Sequence, residues 1–405
     1  MTAVVGALAA VTVGLAPHAA AYDEQSKQWY LGEMEAETMW KVSTGKGVKV
    51  AVIDTGVNPN TPSLKGQVLA DEVPKAVAYK ATDDYGSHGT SMAELIAGTG
   101  AGGGLKGLAP GAKIVPYRVE LEGLKGEAEK EKTPEAWQAV RAAADTDAKI
   151  INISFGGMTT DKDEAAIKYA ASKGKLLIAA VGNNAGPGRS GYIDYPAAFP
   201  YVIGVASINQ SFHVSKFSSY GDSVDLAAPG EGYPGWCDAT FRSYCDNRHG
   251  TSPAAALTSA AAALIWSAHP DWTVNQVTRS MIDTAGRPAN AKPSKYIGYG
   301  LVRPRLVLKN SHYNPGPANV DPLAKDNGGN LLAKSGTKPS PTPSASASTA
   351  SQAPEKTSGG ATSAAGSSAE SSNDSNTLWI ALGAAAAVIV IGGVGVAVMR
   401  ARRAR

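Results

Sequence analysis

KVAVID, residues 49–54, carries the first sign of the architecture. Its apolar side chains follow one another with almost no polar break, which suits a strand buried on both faces. Four later runs share this character: KIVPYRV (113–119), KIINISF (149–155), KLLIAAVG (175–182) and YVIGVAS (201–207). Helix-like stretches separate several of them, including TPEAWQAVRAAAD (133–145) and TDKDEAAIKYAASKG (160–174). Thr133-Pro134 pairs an N-cap with proline at the first helical position, and Gly174 suits a left-handed stop. Strand–helix alternation predicts an α/β fold with a parallel sheet, whose sites lie at the carboxyl ends of its strands. Asp54 stands at such an end. Position alone allows either a catalytic carboxylate or a turn cap.

Histidines narrow the choice. There are six, at 18, 88, 213, 249, 269 and 312. His88 opens HGTSMAELIAG, in which the glycine permits close backbone approach. The tetrapeptide His-Gly-Thr-Ser recurs at 249–252 and leads into PAAALTSAAAALIW. That helix is apolar on nearly every side, so it should be buried. Ser252 stands at its start, where unpaired N–H groups and the positive dipole end favour a developing oxyanion. Ser252 is therefore the better nucleophile and Ser91 the structural serine. His249 is only three residues from Ser252, in the same turn, which makes His88 the better base. AAVGNN (179–184) ends another strand, where a side-chain amide can donate to an oxyanion.

The chain has 405 residues, 43% hydrophobic and 18% charged, enough to bury a large core. Its formal charge of +3 comes from the tail, where Arg400, Arg402, Arg403 and Arg405 cluster; without them 34 bases face 35 acids. The body therefore gives no electrostatic reason to expect a nucleic-acid partner. The two cysteines, Cys237 and Cys245, are too few for a structural zinc site and predict a local disulfide formed in an oxidising compartment.

Both termini point outside the cytoplasm. Residues 4–16 form a short apolar run followed by Ala19-Ala20-Ala21, a secretory signal pattern (1–21), although no basic residue precedes the run. Residues 378–399 carry no charge until the closing arginines; 22 residues at ~1.5 Å each span roughly 33 Å, enough for one transmembrane helix. The positive-inside rule sends the 400–405 tail to the cytoplasm. Between body and anchor, 310–376 is rich in Pro, Ser, Ala, Thr and Gly and reads as a disordered linker. The folded body then runs over 48–309, with a 22–47 extension before it.

Asp54, His88, Asn183 and Ser252, in this order and with these motifs, resemble the subtilisin-like serine proteases. The resemblance covers roughly Val48 to Val307 and implies the subtilisin-like α/β fold, with a mostly parallel sheet flanked by helices. It also implies a serine endopeptidase acting through an acyl-enzyme. Asp54 would orient His88, His88 would serve as base and then acid, and Ser252 would attack. Asn183 and the Ser252 N–H would hold the oxyanion. Ser154, Phe155 and Gly156 would pair with the substrate backbone, and Gly100 to Gly107 would form the opposite edge. Two positions depart from the family: Pro253 directly follows the nucleophile, and His249 replaces the usual Ser or Asn. Pro253 leaves the Ser252 N–H in place, and at N1 it would be sterically acceptable.

The short extension, linker and C-terminal anchor further resemble the mycosins, membrane-anchored subtilases of type VII secretion systems. That implies protein or peptide substrates, a type VII secretion membrane complex as partner, and a single-pass cell-membrane location with the catalytic domain outside. The alternative is a mainly structural role, stabilising that complex with little or regulated proteolysis. No His-Glu-x-x-His or comparable ligand spacing occurs, so no metal or cofactor is expected. Asp83-Asp84 is read as a solvated loop pair.

Overall fold

Each of the five apolar runs forms a strand, and a sixth joins them. In the computed structural model, which describes residues 23–188, 191–289, 291–329 and 331, these are β1 (Lys49–Asp54), β2 (Lys113–Arg118), β3 (Ile150–Ile153), β4 (Leu176–Ala180), β5 (Val202–Ile208) and β6 (Leu226–Pro229). They form one parallel sheet in the order β2-β1-β3-β4-β5-β6. An antiparallel hairpin, β7 (Glu231–Trp236) and β8 (Tyr244–His249), follows β6 and leads into the helix that carries Ser252.

The helices lie on both faces of the sheet. They are α1 (Trp29–Glu33), α2 (Ala36–Trp40), α3 (His88–Ala97), α4 (Glu127–Lys132), α5 (Ala136–Ala144), α6 (Asp161–Ser172), α7 (Thr251–Ala268), α8 (Val274–Asp283) and α9 (Pro304–Leu308). Alternate residues of each strand explain the continuous hydrophobicity. Val50 and Val52 of β1 join a core with α3 and α7, while Ala51 and Ile53 join another with α5 and α6. Successive strand side chains point to opposite faces, so a sheet covered on both sides needs apolar residues throughout. Helix α7 runs beneath the sheet with its alanines buried, as its all-round apolar character predicts.

Some boundaries differ from the reading of the sequence. Helix α5 begins at Ala136, capped by Glu135 in a reciprocal box with Gln138, rather than at Pro134. Thr133 instead ends α4, its hydroxyl donating to the Glu129 carbonyl. Helix α6 is capped by Thr160, and the expected glycine stop, Gly174, follows it at φ +74°.

The segment before β1 is part of the folded body. Tyr30 and Met39 are buried in the core, and the Trp29 indole donates to the Glu231 carbonyl at 3.0 Å. Residues 310–329, expected to begin the linker, also pack on the body. Thr273 and Asn275 side chains donate to the Ala318 carbonyl, Arg279 donates to that of Val320, and Leu323 is buried. A few apolar anchors and backbone acceptors hold this Pro- and Asn-rich stretch, which average composition hides. The signal at 1–21, the membrane run at 378–399, the 400–405 tail and the linker beyond 331 lie outside the described residues. Among the described residues, no helix is long and apolar enough to cross a membrane.

Candidate active site

Three neighbouring strands, β1, β3 and β4, deliver residues to one edge of the sheet. Asp54 ends β1, Ser154 follows β3, and Asn183 follows β4. Helices α3 and α7, packed together under the sheet, begin at the same edge. His88 is the first residue of α3, and Ser252 is the second of α7, behind the Gly250 cap.

Asp54 and His88 form a close pair. The imidazole Nδ1 lies 2.8 and 2.9 Å from the two Asp54 carboxylate oxygens. A carboxylate accepts, so Nδ1 carries the proton and Nε2 is left as an acceptor in the neutral ring. Asp54 is wholly buried and also accepts from the Thr55 N–H at 2.8 Å. Burial is the largest influence and pulls the His88 pKa down, but the Asp54 charge, the Asp54 hydrogen bond and the Asp84 charge together outweigh it and the opposing Arg248. The net pKa lies above the ordinary imidazole value.

Gly89 makes this pairing sterically possible. A β-carbon there would lie 2.1 Å from the Gly56 carbonyl oxygen and 3.0 Å from Asp54 Cβ. Without one, the start of α3 can press against the end of β1.

Asp84 organises the same corner and is not the solvated residue expected from its sequence setting. It is buried, and its carboxylate accepts from Thr55 Oγ1 at 2.6 Å, the Gly86 N–H at 2.9 Å, the Thr90 N–H at 2.8 Å and Thr90 Oγ1 at 2.6 Å. Burial raises its pKa against these donors. Asp83 does reach solvent, beside Arg118 and Lys80.

The second His-Gly-Thr-Ser copy behaves differently. Asn183 Oδ1 accepts from the Thr251 N–H at 2.9 Å and from its hydroxyl at 3.2 Å, which orients the amide. A point one bond out from the Gly250 α-carbon lies 3.7 Å from both Asn183 Nδ2 and the Ser252 N, so these two donors share one space. Pro253 is the third residue of α7 rather than the first. It still falls within the first turn, where N–H groups have no intrahelical acceptor.

The structure does not join Ser252 to His88 by a hydrogen bond. Ser252 Oγ donates to the Ser154 carbonyl at 2.8 Å, and Ser154 Oγ donates to the Ser252 carbonyl at 3.2 Å. Ser91 is buried between Ser87 and the hairpin, its hydroxyl donating to the Ser87 carbonyl and accepting from the Trp236 N–H. The His249 ring packs 5.1 Å from that of Phe217. Cys237 and Cys245 form the disulfide that the sequence predicts, across the β7–β8 hairpin.

This constellation agrees with the comparisons to known proteins. The model of the subtilase family matches residues 45–300. The chain belongs to the subtilase family. It is 34% identical over 266 residues to subtilisin E of Bacillus subtilis, a match covering 64% of this chain and 65% of that protein. The chain thus spans slightly less than two thirds of that relative's length. Among solved structures, the MycP3 protease from the type VII (ESX-3) secretion system has a TM-score of 0.55 and 32% identity, covering 69% of this chain and 87% of that one. MycP1 from Mycobacterium smegmatis has a TM-score of 0.55 and 26% identity, covering 75% and 89%.

The two edges expected to line substrate lie differently in the structure. Phe155 and Gly156 border a cavity of about 630 Å³ whose opposite wall is Glu120 to Leu124, the loop after β2. Gly100 to Gly107, expected to form that wall, is instead engaged by the N-terminal segment. Gln25 donates to the Gly100 carbonyl at 2.9 Å, and Gln28 bonds the backbone of Lys106. The end of β2 is the position that fits the rule for parallel sheets.

Proposed function

We propose that this subtilase is a serine endopeptidase that uses Asp54, His88 and Ser252. The observation that carries this reading is the Asp54–His88 pair, with its acceptor nitrogen free, at the strand edge where α7 presents Ser252 beside the Asn183 amide. The Ser252 hydroxyl leaves the Ser154 carbonyl by rotation about its Cα–Cβ bond and turns to His88 Nε2. Apo hydrogen bonds of this kind often form only with substrate bound.

Ser252 Oγ then attacks the peptide carbonyl carbon while its proton passes to Nε2. The oxyanion receives hydrogen bonds from Asn183 Nδ2 and the Ser252 N–H, which are already in place before charge develops. The intermediate expels the amine as His88 returns the proton to it, leaving an acyl ester on Ser252. Water, deprotonated by His88, hydrolyses the ester and restores the serine. Asp54 keeps Nδ1 protonated and stabilises the imidazolium at both stages.

The apolar run 378–399 with its following arginines supports a single membrane anchor, with this body on the outer side. Likeness to MycP3 and MycP1 supports a role beside a type VII secretion complex, with exported or membrane-complex proteins as substrates. One observation favours a second reading. The Ser252 hydroxyl is held by Ser154 and not by His88, as in a resting scaffold that cleaves little until a partner or substrate engages.

Active-site labelling tests the proposal. A fluorophosphonate should label the intact chain and its Ser91→Ala variant and fail on Ser252→Ala. Absence of labelling in the folded wild type, with and without membranes, would refute an activated serine and leave the scaffold reading.

A further inference from the structure

Beyond the triad, one carboxylate stands where the substrate must pass. Asp194 lies in the loop after β4, with its N–H donating to the Val181 carbonyl at 2.9 Å. Its side chain fits against two glycines. A β-carbon on Gly156 would lie 2.8 Å from Asp194 Cγ and 2.9 Å from Oδ2, and one on Gly182 would lie 2.3 Å from Oδ2. Gly182 directly precedes Asn183, and Gly156 is two residues beyond Ser154. The same two segments therefore hold the Ser252 turn and enclose the Asp194 carboxylate.

The reaction's own geometry connects this carboxylate to the substrate. The acyl carbon sits on Ser252 Oγ, with its oxygen toward Asn183 Nδ2. In the step proposed above, the side chain of the residue contributing that carbonyl would leave between the Ser154–Gly156 and Gly182–Asn183 segments, which flank the Ser252 hydroxyl and the Asn183 amide. Two glycines leave that slot without side-chain walls. We infer that Asp194 makes the slot selective for a cationic side chain, lysine or arginine, on the acyl side of the scissile bond. The inference rests on the proteolytic reading above.

Three observations support it. Asp194 is half-buried, and among the described residues its side chain accepts one hydrogen bond, from Asn184 Nδ2 to Oδ1 at 3.0 Å. Among the described residues no Lys, Arg or His pairs with it, and burial raises its pKa despite Asn184. A carboxylate partly stripped of water and lacking a counter-ion gains most from an incoming cation, and it repels an acid. The cavity that Phe155–Met158 help to line has the same sign, with Glu120, Glu122, Glu135 and Asp163 against Lys130. Selection by attraction and repulsion together is how a pocket discriminates strongly.

The test uses peptide substrates of the full chain that differ only at the acyl-side residue. They carry arginine, lysine, norleucine, phenylalanine or glutamate. Lysine should exceed its neutral near-isostere norleucine in kcat/KM by at least tenfold. Asp194→Asn should erase that ratio while keeping norleucine turnover, and Asp194→Lys should turn the preference toward glutamate. A wild type that favours norleucine or phenylalanine, or an unchanged ratio in Asp194→Asn, overturns the inference and leaves the proteolytic reading standing. If no peptide is cleaved, binding still decides. p-Aminobenzamidine fluorescence should report binding to wild type and to Ser252→Ala, weakened at least tenfold in Asp194→Asn. Equal binding to all three, or none to any, overturns it.

Discussion

Glu94 should make the stability of this fold depend on pH in a direction opposite to the usual carboxylate. It lies on α3, six residues after His88, and is wholly buried. Its carboxyl accepts from Thr61 Oγ1 at 2.7 Å and from the Tyr244 hydroxyl of β8 at 2.8 Å. Burial outweighs these donors and pushes its pKa from 4.5 up to about 7. The folded state therefore holds this proton to higher pH than the unfolded chain. The resulting stability is complete below the unfolded pKa and is lost as pH rises through the folded one. A rise of about 2.5 units at ~1.4 kcal/mol each gives a loss of order 3 kcal/mol between about pH 4 and pH 8. Glu94→Gln keeps the volume and removes the titration, and the Thr61 and Tyr244 hydroxyls can reverse their donor roles. Thermal unfolding of Ser252→Ala and of Ser252→Ala/Glu94→Gln at both pH values isolates the effect from other groups and from autolysis. Relative to its parent, the Gln variant should gain about 6 °C on going from the lower to the higher pH. Parallel curves for the two proteins would show that Thr61 and Tyr244 keep the carboxylate ionised, and would refute the reasoning.

Two further outcomes follow from the same geometry. Asp54→Asn should lower kcat by roughly four orders of magnitude, the scale seen when a triad carboxylate is neutralised. Because Asp54 raises the His88 pKa, wild-type kcat/KM should climb as pH passes above that raised value, and the limb should move to lower pH in the variant. An unmoved limb in the pH–rate profile would exclude His88 as the titrating base. Replacing Cys237 and Cys245 with serine should cost up to about 2.5 kcal/mol in urea unfolding, from the short loop that the disulfide closes. No loss would mean that the Trp236–Tyr244 stack, with centroids 3.8 Å apart, holds the hairpin unaided.

Much of the sheet could be read from sequence because strands buried on both faces leave an unbroken apolar record. Lys49–Asp54 emerges with the expected bounds for this reason. Strand β6 escaped because Leu226–Pro229 is short and ends in proline, and β8 because YCDNRH faces mostly solvent. The site residues announced themselves through local motifs at strand and helix ends. Asp84, Glu94 and Asp194 did not. Their roles depend on which residues come near them: Thr55 and Thr90 for Asp84, Tyr244 for Glu94, Gly156 and Gly182 for Asp194. Those approaches are separated by up to 150 residues in sequence. The missing side chains at Gly156 and Gly182 are visible as letters, but what occupies their space is not.

The two His-Gly-Thr-Ser copies show why a motif needs its register as well as its letters. In the first, α3 begins at the histidine, so His88 sits in the first turn against Asp54 and Ser91 falls four positions into the helix, buried. In the second, Gly250 is the cap, so His249 remains outside and Ser252 occupies the first turn, half-buried. A two-residue shift in where the helix starts sends one copy's imidazole and the other copy's hydroxyl to the same edge. What fixes each start is not in the tetrapeptide. Ser87, in the left-handed conformation at φ +62°, turns the chain into α3. Asn183 accepts from Thr251 N–H and so fixes the first helical residue of α7. The residue assigned to the oxyanion therefore also sets the register of the nucleophile. Losing its carbonyl should disturb Ser252 placement as well as transition-state binding. Asn183→Ala should therefore lower the melting temperature as well as turnover, and a variant that loses turnover with unchanged thermal unfolding would show that Asn183 does not set the start of α7.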